Sequence, residues 1–163
     1  MKPLIRRSLL LCCFFALLCS VTAQSNKKAD VLLLYPKVSP GDSLKNNDLY
    51  QSLLTQCNEY DSYQGIEQHS EDARYTVLSL SEVSRYAYEV DADYFLVTSV
   101  CYVSPIRIVN AKLFSTIDMT VEWIDNYRVY ADTNADTIAS LIAFSIDEII
   151  TRANSLKAQP LNL

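Results

Sequence analysis

Apolar and polar positions alternate in distinct patterns along the chain, and each pattern predicts an element. Val31-Leu32-Leu33-Leu34-Tyr35 is a continuous apolar run stopped by Pro36, as expected of a strand buried on both faces. Pro36, Pro40 and Gly41 mark a loop. From Asp48 the positions Leu49, Leu53, Leu54, Cys57 and Tyr60 recur at helical spacing, with Asp48 or Ser43 as the cap. The polar stretch Asp61 to Arg74 holds Gly65 and His69 and reads as an exposed loop. Tyr75-Thr76-Val77-Leu78 reads as a second strand. Ser81 then caps a helix that runs through Val83, Ala87 and Val90, with Glu82 at the positive end of its dipole.

Tyr94 to Val103 is the strongest strand signal, because both alternating sets are largely apolar; such a strand lies in the middle of a sheet. Ser104-Pro105 breaks the run, and strand character returns by Leu113. Ile117, Met119, Val121 and Trp123 then share one face, while Asp118, Thr120 and Glu122 share the other. Asp125-Asn126 suggests a tight turn, and Tyr127 to Ala131 its hairpin partner. Asp136 to Leu156 forms a long helix with Ile138, Leu141, Ile142, Ser145, Ile149 and Ala153 along one side.

The resulting order is β-α-β-α-β-β-β-α. Two helical crossovers imply that the first three strands run parallel, and the later strands add as an antiparallel meander. The fold class is α/β, a single mixed sheet of about five strands with helices packed against it.

The chain begins with Lys2, Arg6 and Arg7, an apolar run from Leu9 to Leu18, and then Val21-Thr22-Ala23. A basic start, a short apolar middle and small side chains near the boundary predict a secretory signal over residues 1–23, cleaved between Ala23 and Gln24. The run is short of the roughly 20 residues a membrane-spanning helix needs. Residues 24–30 then form a polar lead-in, 31–157 one α/β domain, and 158–163 a tail. Export places the protein in the periplasm or against the envelope.

Export also changes the charge. Of the 14 basic residues, three precede Gln24, which leaves 11 basic groups against 19 acidic ones and a net charge of −8. Such a surface repels nucleic-acid backbones. Of five cysteines only Cys57 and Cys101 remain, a candidate disulfide in an oxidising compartment; two buried thiols are the alternative.

Two glycines and one histidine in the whole chain are too few for a Gly-rich phosphate loop or a paired-histidine zinc site. The run Gln68-His69-Ser70-Glu71-Asp72 contains the residue types of a nucleophilic triad, but adjacent positions rarely converge as a triad must. The acid pairs Asp91/Asp93, Asp132/Asp136 and Asp147/Glu148 suit turns and helix starts. The sequence therefore calls for no cofactor, metal or catalytic residue. The 11 tyrosines stand out more. Ring and hydroxyl together suit contact surfaces, and Tyr60, Tyr63, Tyr127 and Tyr130 are the candidate interaction residues.

The segment Ser81 to Val100, in which a short helix ends at Asp91-Ala92-Asp93 before a central strand, resembles a stretch recurrent in bacterial envelope accessory domains. These include the amino-terminal domain of the Tol-system propeller protein, the curli-secretion lipoprotein and the activator lipoproteins of penicillin-binding proteins. The opening Val31 to Pro36, the strand Ile117 to Asp125 and the closing helix fit the same plan; Asp91 stands where a glycine is usual. The resemblance implies a three-layer sheet domain like the anticodon-binding domain of tRNA synthetases, and an accessory role without catalysis. The expected function is a non-catalytic envelope protein that binds another protein through its surface. A small secreted hydrolase using acidic residues, and a carbohydrate- or small-ligand-binding module using tyrosines, are the alternatives.

Overall fold

The computed structural model describes residues 27–38, 46–69, 79–103, 106–130 and 133–157. The elements are β1 (Ala29–Leu33), β2 (Lys37–Val38), α1 (Asn46–Cys57), β3 (Tyr63–Glu67), α2 (Leu80–Glu89), β4 (Tyr94–Val103), β5 (Ile106–Ser115), β6 (Val121–Val129) and α3 (Ala135–Lys157). They form one mixed sheet in the order β3-β1-β4-β5-β6, with β2 added to β4. β1 pairs in parallel with both β3 and β4, and β4, β5 and β6 follow as an antiparallel meander. This is the α/β class and element order the periodicity predicts. The signal segment, its Ala23–Gln24 boundary and the 158–163 tail lie outside the described residues.

Both faces of the sheet are covered around β1 and the first half of β4. On one face Val31, Leu33, Leu96, Val109, Ala111 and Leu113 pack under α1 and α3. On the other, Leu32, Leu34, Phe95 and Phe114 pack under Val83, Tyr86 and Ala87 of α2. The alternation of neighbouring residues between the two clusters explains why β1 reads as an unbroken apolar run.

The expected strand Tyr75–Leu78 lies outside the described residues; among the described residues Tyr63–Glu67, inside the stretch read as a loop, is a strand. β3 is an edge strand bonded only to β1, so half of its positions face water and its sequence carries little apolar signal. Gly65 belongs to the strand because a Cβ there would lie 3.0 Å from Leu33 Cδ1 and 3.2 Å from Cys57 Cβ. It is a close-approach glycine, which sequence alone does not separate from a loop glycine.

The hairpin turn is also displaced. β6 runs straight through Asp125-Asn126, and Asn110 Nδ2 donates to Asn126 Oδ1 at 2.8 Å across the pair. The chain reverses instead between Ser115 and Thr120. There the Asp118 carboxylate accepts from Thr120 N (3.2 Å) and Thr120 Oγ1 (2.8 Å), and Met119 takes φ 59°. Bonds from the Ser115 and Thr120 side chains hold the Asp118 carboxyl below its usual range. The expected dry face of Ile117, Met119, Val121 and Trp123 therefore straddles a turn, and Ile117 is 90% exposed.

On α3 the buried stripe is Ile138, Ala139, Ile142, Ala143, Ile146 and Ile150. Leu141 faces outward instead. The helix packs on the sheet and α1 together, and small Ala139 and Ala143 turn inward where Ser140 Oγ reaches Gln56 Oε1 at 2.6 Å. The cap of α2 is Ser79, two residues before Ser81: its N–H and hydroxyl both donate to the Glu82 carboxylate. These bonds lower the Glu82 pKa.

The helix ends where Asp91 takes φ 58°, the left-handed conformation glycine adopts without strain. The Asp93 carboxylate then accepts from Asp30 N at 2.9 Å, and Asp93 N donates to Asp30 O at 2.8 Å. Asp91→Gly is expected to keep stability or raise it by up to about 1 kcal/mol, whereas Asp91→Val lowers it by roughly 1–2 kcal/mol. Chemical denaturation midpoints check the pair; equal losses from both variants would refute the turn.

Candidate interaction site

The residues singled out from sequence scatter when the chain folds. Tyr63 is fully buried: its hydroxyl donates to Ala143 O at 2.9 Å, and its ring stacks on Tyr60 at 5.8 Å. It is a core residue, and burial pushes its pKa up. That corrects its placement on an interaction surface. Tyr60 is half-buried on one flank of α3; Tyr127 is half-buried on the opposite flank, where its hydroxyl meets Ser145 Oγ at 3.4 Å. Burial also raises the Tyr60 and Tyr127 pKa values, with the Asp147 and Glu59 charges adding at Tyr60. Tyr130 is exposed at the end of β6. The four tyrosines thus form no single patch.

Cys57 and Cys101 are free thiols, one buried on α1 and one exposed on β4. Cys57 lies against Gly65 and Leu33. Leu33 pairs with Leu96, and Cys101 is five residues further along β4, ~17 Å at ~3.3 Å per residue. A disulfide needs Cα atoms within about 7 Å, so the fold keeps the two apart. Burial pushes the Cys57 thiol up to about 11.

Two of the candidate acids accept from hydroxyls of other segments of the chain. Asp136 accepts from Ser52 Oγ at 2.6 Å and Asp147 from Ser62 Oγ at 2.5 Å, while Asp132 and the run 70–72 lie outside the described residues. His69 is exposed. Among the described residues no three His, Cys, Asp or Glu side chains group as metal ligands, and no helix is long and apolar enough to cross a membrane.

An open cleft of about 650 Å³ lies between the α1–β3 connection and the second half of α3. Glu59, Tyr60 and Asp61 line one wall, and Asp147, Thr151 and Asn154 the other. Lys27 also lines it, and the next residue, Lys28, donates to Tyr60 O at 2.8 Å. Sequence reasoning missed this cleft, because its walls come from two polar stretches far apart in the chain, neither of which carries a pattern. Large apolar and aromatic side chains are also exposed at separate places on the fold. Tyr88, Tyr102, Ile117, Ile124, Tyr130 and Phe144 all stand at least half out of the surface.

A mixed sheet with two helices on one face and one on the other is similar in fold to solved domains of the kind the resemblance names, so the resemblance drawn from Ser81 to Val100 holds for the fold. Among solved structures the chain is similar to the PelC dodecamer from Paraburkholderia phytofirmans, with a TM-score of 0.51 at 11% identity, covering 75% of this chain and 87% of that one. It is similar to TolB from Acinetobacter baumannii, at 0.56 and 10%, covering 77% of this chain but only 29% of that protein. The third is the LpoB C-terminal domain from Escherichia coli, at 0.52 and 13%, covering 63% and 82%. No family model and no curated protein matches the sequence.

Proposed function

We propose that this chain is an exported, non-catalytic accessory protein of the bacterial envelope that recognises another protein through its exterior. One observation carries the reading: carboxylates and hydroxyls are spent on turns, caps and inter-element bonds, while large aromatic and apolar side chains face out, Tyr88 at 75% and Tyr130 at 59% exposure. Rings that present both an apolar face and a hydroxyl favour protein contacts. The fold shared with PelC, TolB and LpoB supports the accessory role. A photo-crosslinker placed at Tyr88 or Tyr130 in cells is expected to trap one discrete partner protein, identified by mass. A second reading, a small polar ligand such as a sugar seated on Tyr60, is favoured by the hydroxyl- and carboxylate-lined cleft. Recovery of uncrosslinked chain alone, with saturable sugar binding lost in Tyr60→Ala, would replace the first reading with the second.

A further inference from the structure

Helix α2 covers only part of its face of the sheet. Beneath it lie Phe95 at the start of β4 and Phe114 near the end of β5. Alternation carries the same face past the helix, along the rest of β4 and β6 and back to the start of β5. There it is open: Cys101, Ile124, Asn126 and Arg128 are exposed.

This open half gathers cations. In register, Lys37 lies beside Ser99, Lys112 beside Ile124 and Arg128 beside Ile108. Lys37 and Arg128 are exposed and Lys112 is half-buried, and none of them joins an ion pair among the described residues. The acids of β6 lie elsewhere. Asp125 pairs with Ala111 on the side of α1 and α3, and Glu122 is the unpaired residue of the bulge near Phe114. On a chain of formal net charge −5, cations gathered without an acid among them favour an anionic partner.

Their spacing and surroundings define that partner further. Lys112 and Arg128 are one strand and four residues apart in register, ~14 Å at ~4.8 Å per strand and ~3.3 Å per residue. That is too wide for them to close round one small anion without lying flat on the sheet, so the anionic groups they meet are several and spread out. Between the cations Asn110 Nδ2 donates to Asn126 Oδ1 at 2.8 Å, and Ile124 is 51% exposed. Cations, amides and apolar side chains together on one flat face suit a protein contact. A membrane or an extended polyanion acts on the whole acidic molecule and repels it, whereas a protein need match only the face.

We infer that the partner protein docks on the open half of this sheet face and presents an acidic surface to Lys37, Lys112 and Arg128. The inference rests on the reading of the chain as a protein-binding accessory domain, and adds the place and the charge of the contact.

The test places the photo-crosslinker benzoylphenylalanine at Asn126 of the full chain in cells, and separately at Tyr88 and Tyr130. Asn126 is expected to trap one protein, identified by mass, through a patch rich in Asp and Glu. Lys37→Glu and Arg128→Glu each lower that yield several-fold, and together about tenfold. Arg152→Glu, on α3 across the sheet, leaves it unchanged. Replacing the acids of the trapped patch by lysine restores the yield with the doubly reversed chain. Circular dichroism checks that each variant is folded; should the probe at Asn126 disturb the strand, Ile124 carries it instead. A yield indifferent to the reversals, a trapped patch without acids, or no rescue would overturn the inference. So would adducts from Tyr88 or Tyr130 but none from the sheet face, a result that leaves the accessory reading standing. No adduct from any position removes both. Purified chain that sediments with phosphatidylglycerol vesicles, and no longer does so after the same reversals, would assign the face to a membrane instead.

Discussion

Phe95→Ala is expected to lower the unfolding free energy by about 3–5 kcal/mol, the range for emptying a large aromatic site in a core that cannot close over the space. Phe95 is fully buried and stacks on Phe114 at 4.9 Å with an interplanar angle of 4°. Leu32, Leu34, Val83, Tyr86, Ala87 and Ala92 complete the cluster. This cluster is what holds α2 to the sheet, and it is the smaller of the two cores. With few other contacts to share the loss, removal of the ring should undermine the whole layer. Denaturant unfolding followed by far-ultraviolet dichroism measures it, as a shift in midpoint at unchanged slope. A cost below about 1 kcal/mol would mean that α2 is held some other way.

Gln68→Leu is the second large effect, at roughly 1–3 kcal/mol. Gln68 is fully buried at the end of β3. Its Oε1 accepts from Tyr35 N at 2.9 Å, and its own N–H donates to the Tyr50 hydroxyl at 2.7 Å. The Tyr35 and Tyr50 rings stack with centroids 4.0 Å apart, and burial holds the Tyr50 hydroxyl firmly protonated. Leucine fills the same space but leaves the Tyr35 N–H without its acceptor, and an unsatisfied buried donor costs about that much. Thermal or chemical unfolding of the variant checks it. An unchanged midpoint would show that water replaces the glutamine oxygen.

Gln68 also shows where the sequence stops being readable. Its neighbours are polar, so the stretch Asp61 to Arg74 looks solvated, yet Tyr63 and Gln68 are fully buried. An edge strand has one bonded neighbour and little apolar demand, and a buried amide satisfied by two other elements has no local signature. By contrast β1 and β4 are legible because burial on both faces forces apolar residues at consecutive positions. The displaced hairpin has a similar cause. Asp118 and Asp125-Asn126 carry equal turn chemistry, and only the pairing of β5 with β6 decides which one bends. The tyrosines are visible as a compositional excess, but their separation onto opposite flanks of α3 follows from tertiary packing alone.

The place of β1 has a further consequence for how the chain is made. Its two neighbours, β3 and β4, begin about 30 and 60 residues later, so the most apolar strand leaves the ribosome long before either can shelter it. Sheets closed by such distant partners assemble slowly and expose their interior meanwhile. Val31 to Leu34 is therefore the stretch that a holding chaperone has most reason to grip, and it can be let go only when the second half of the polypeptide has arrived.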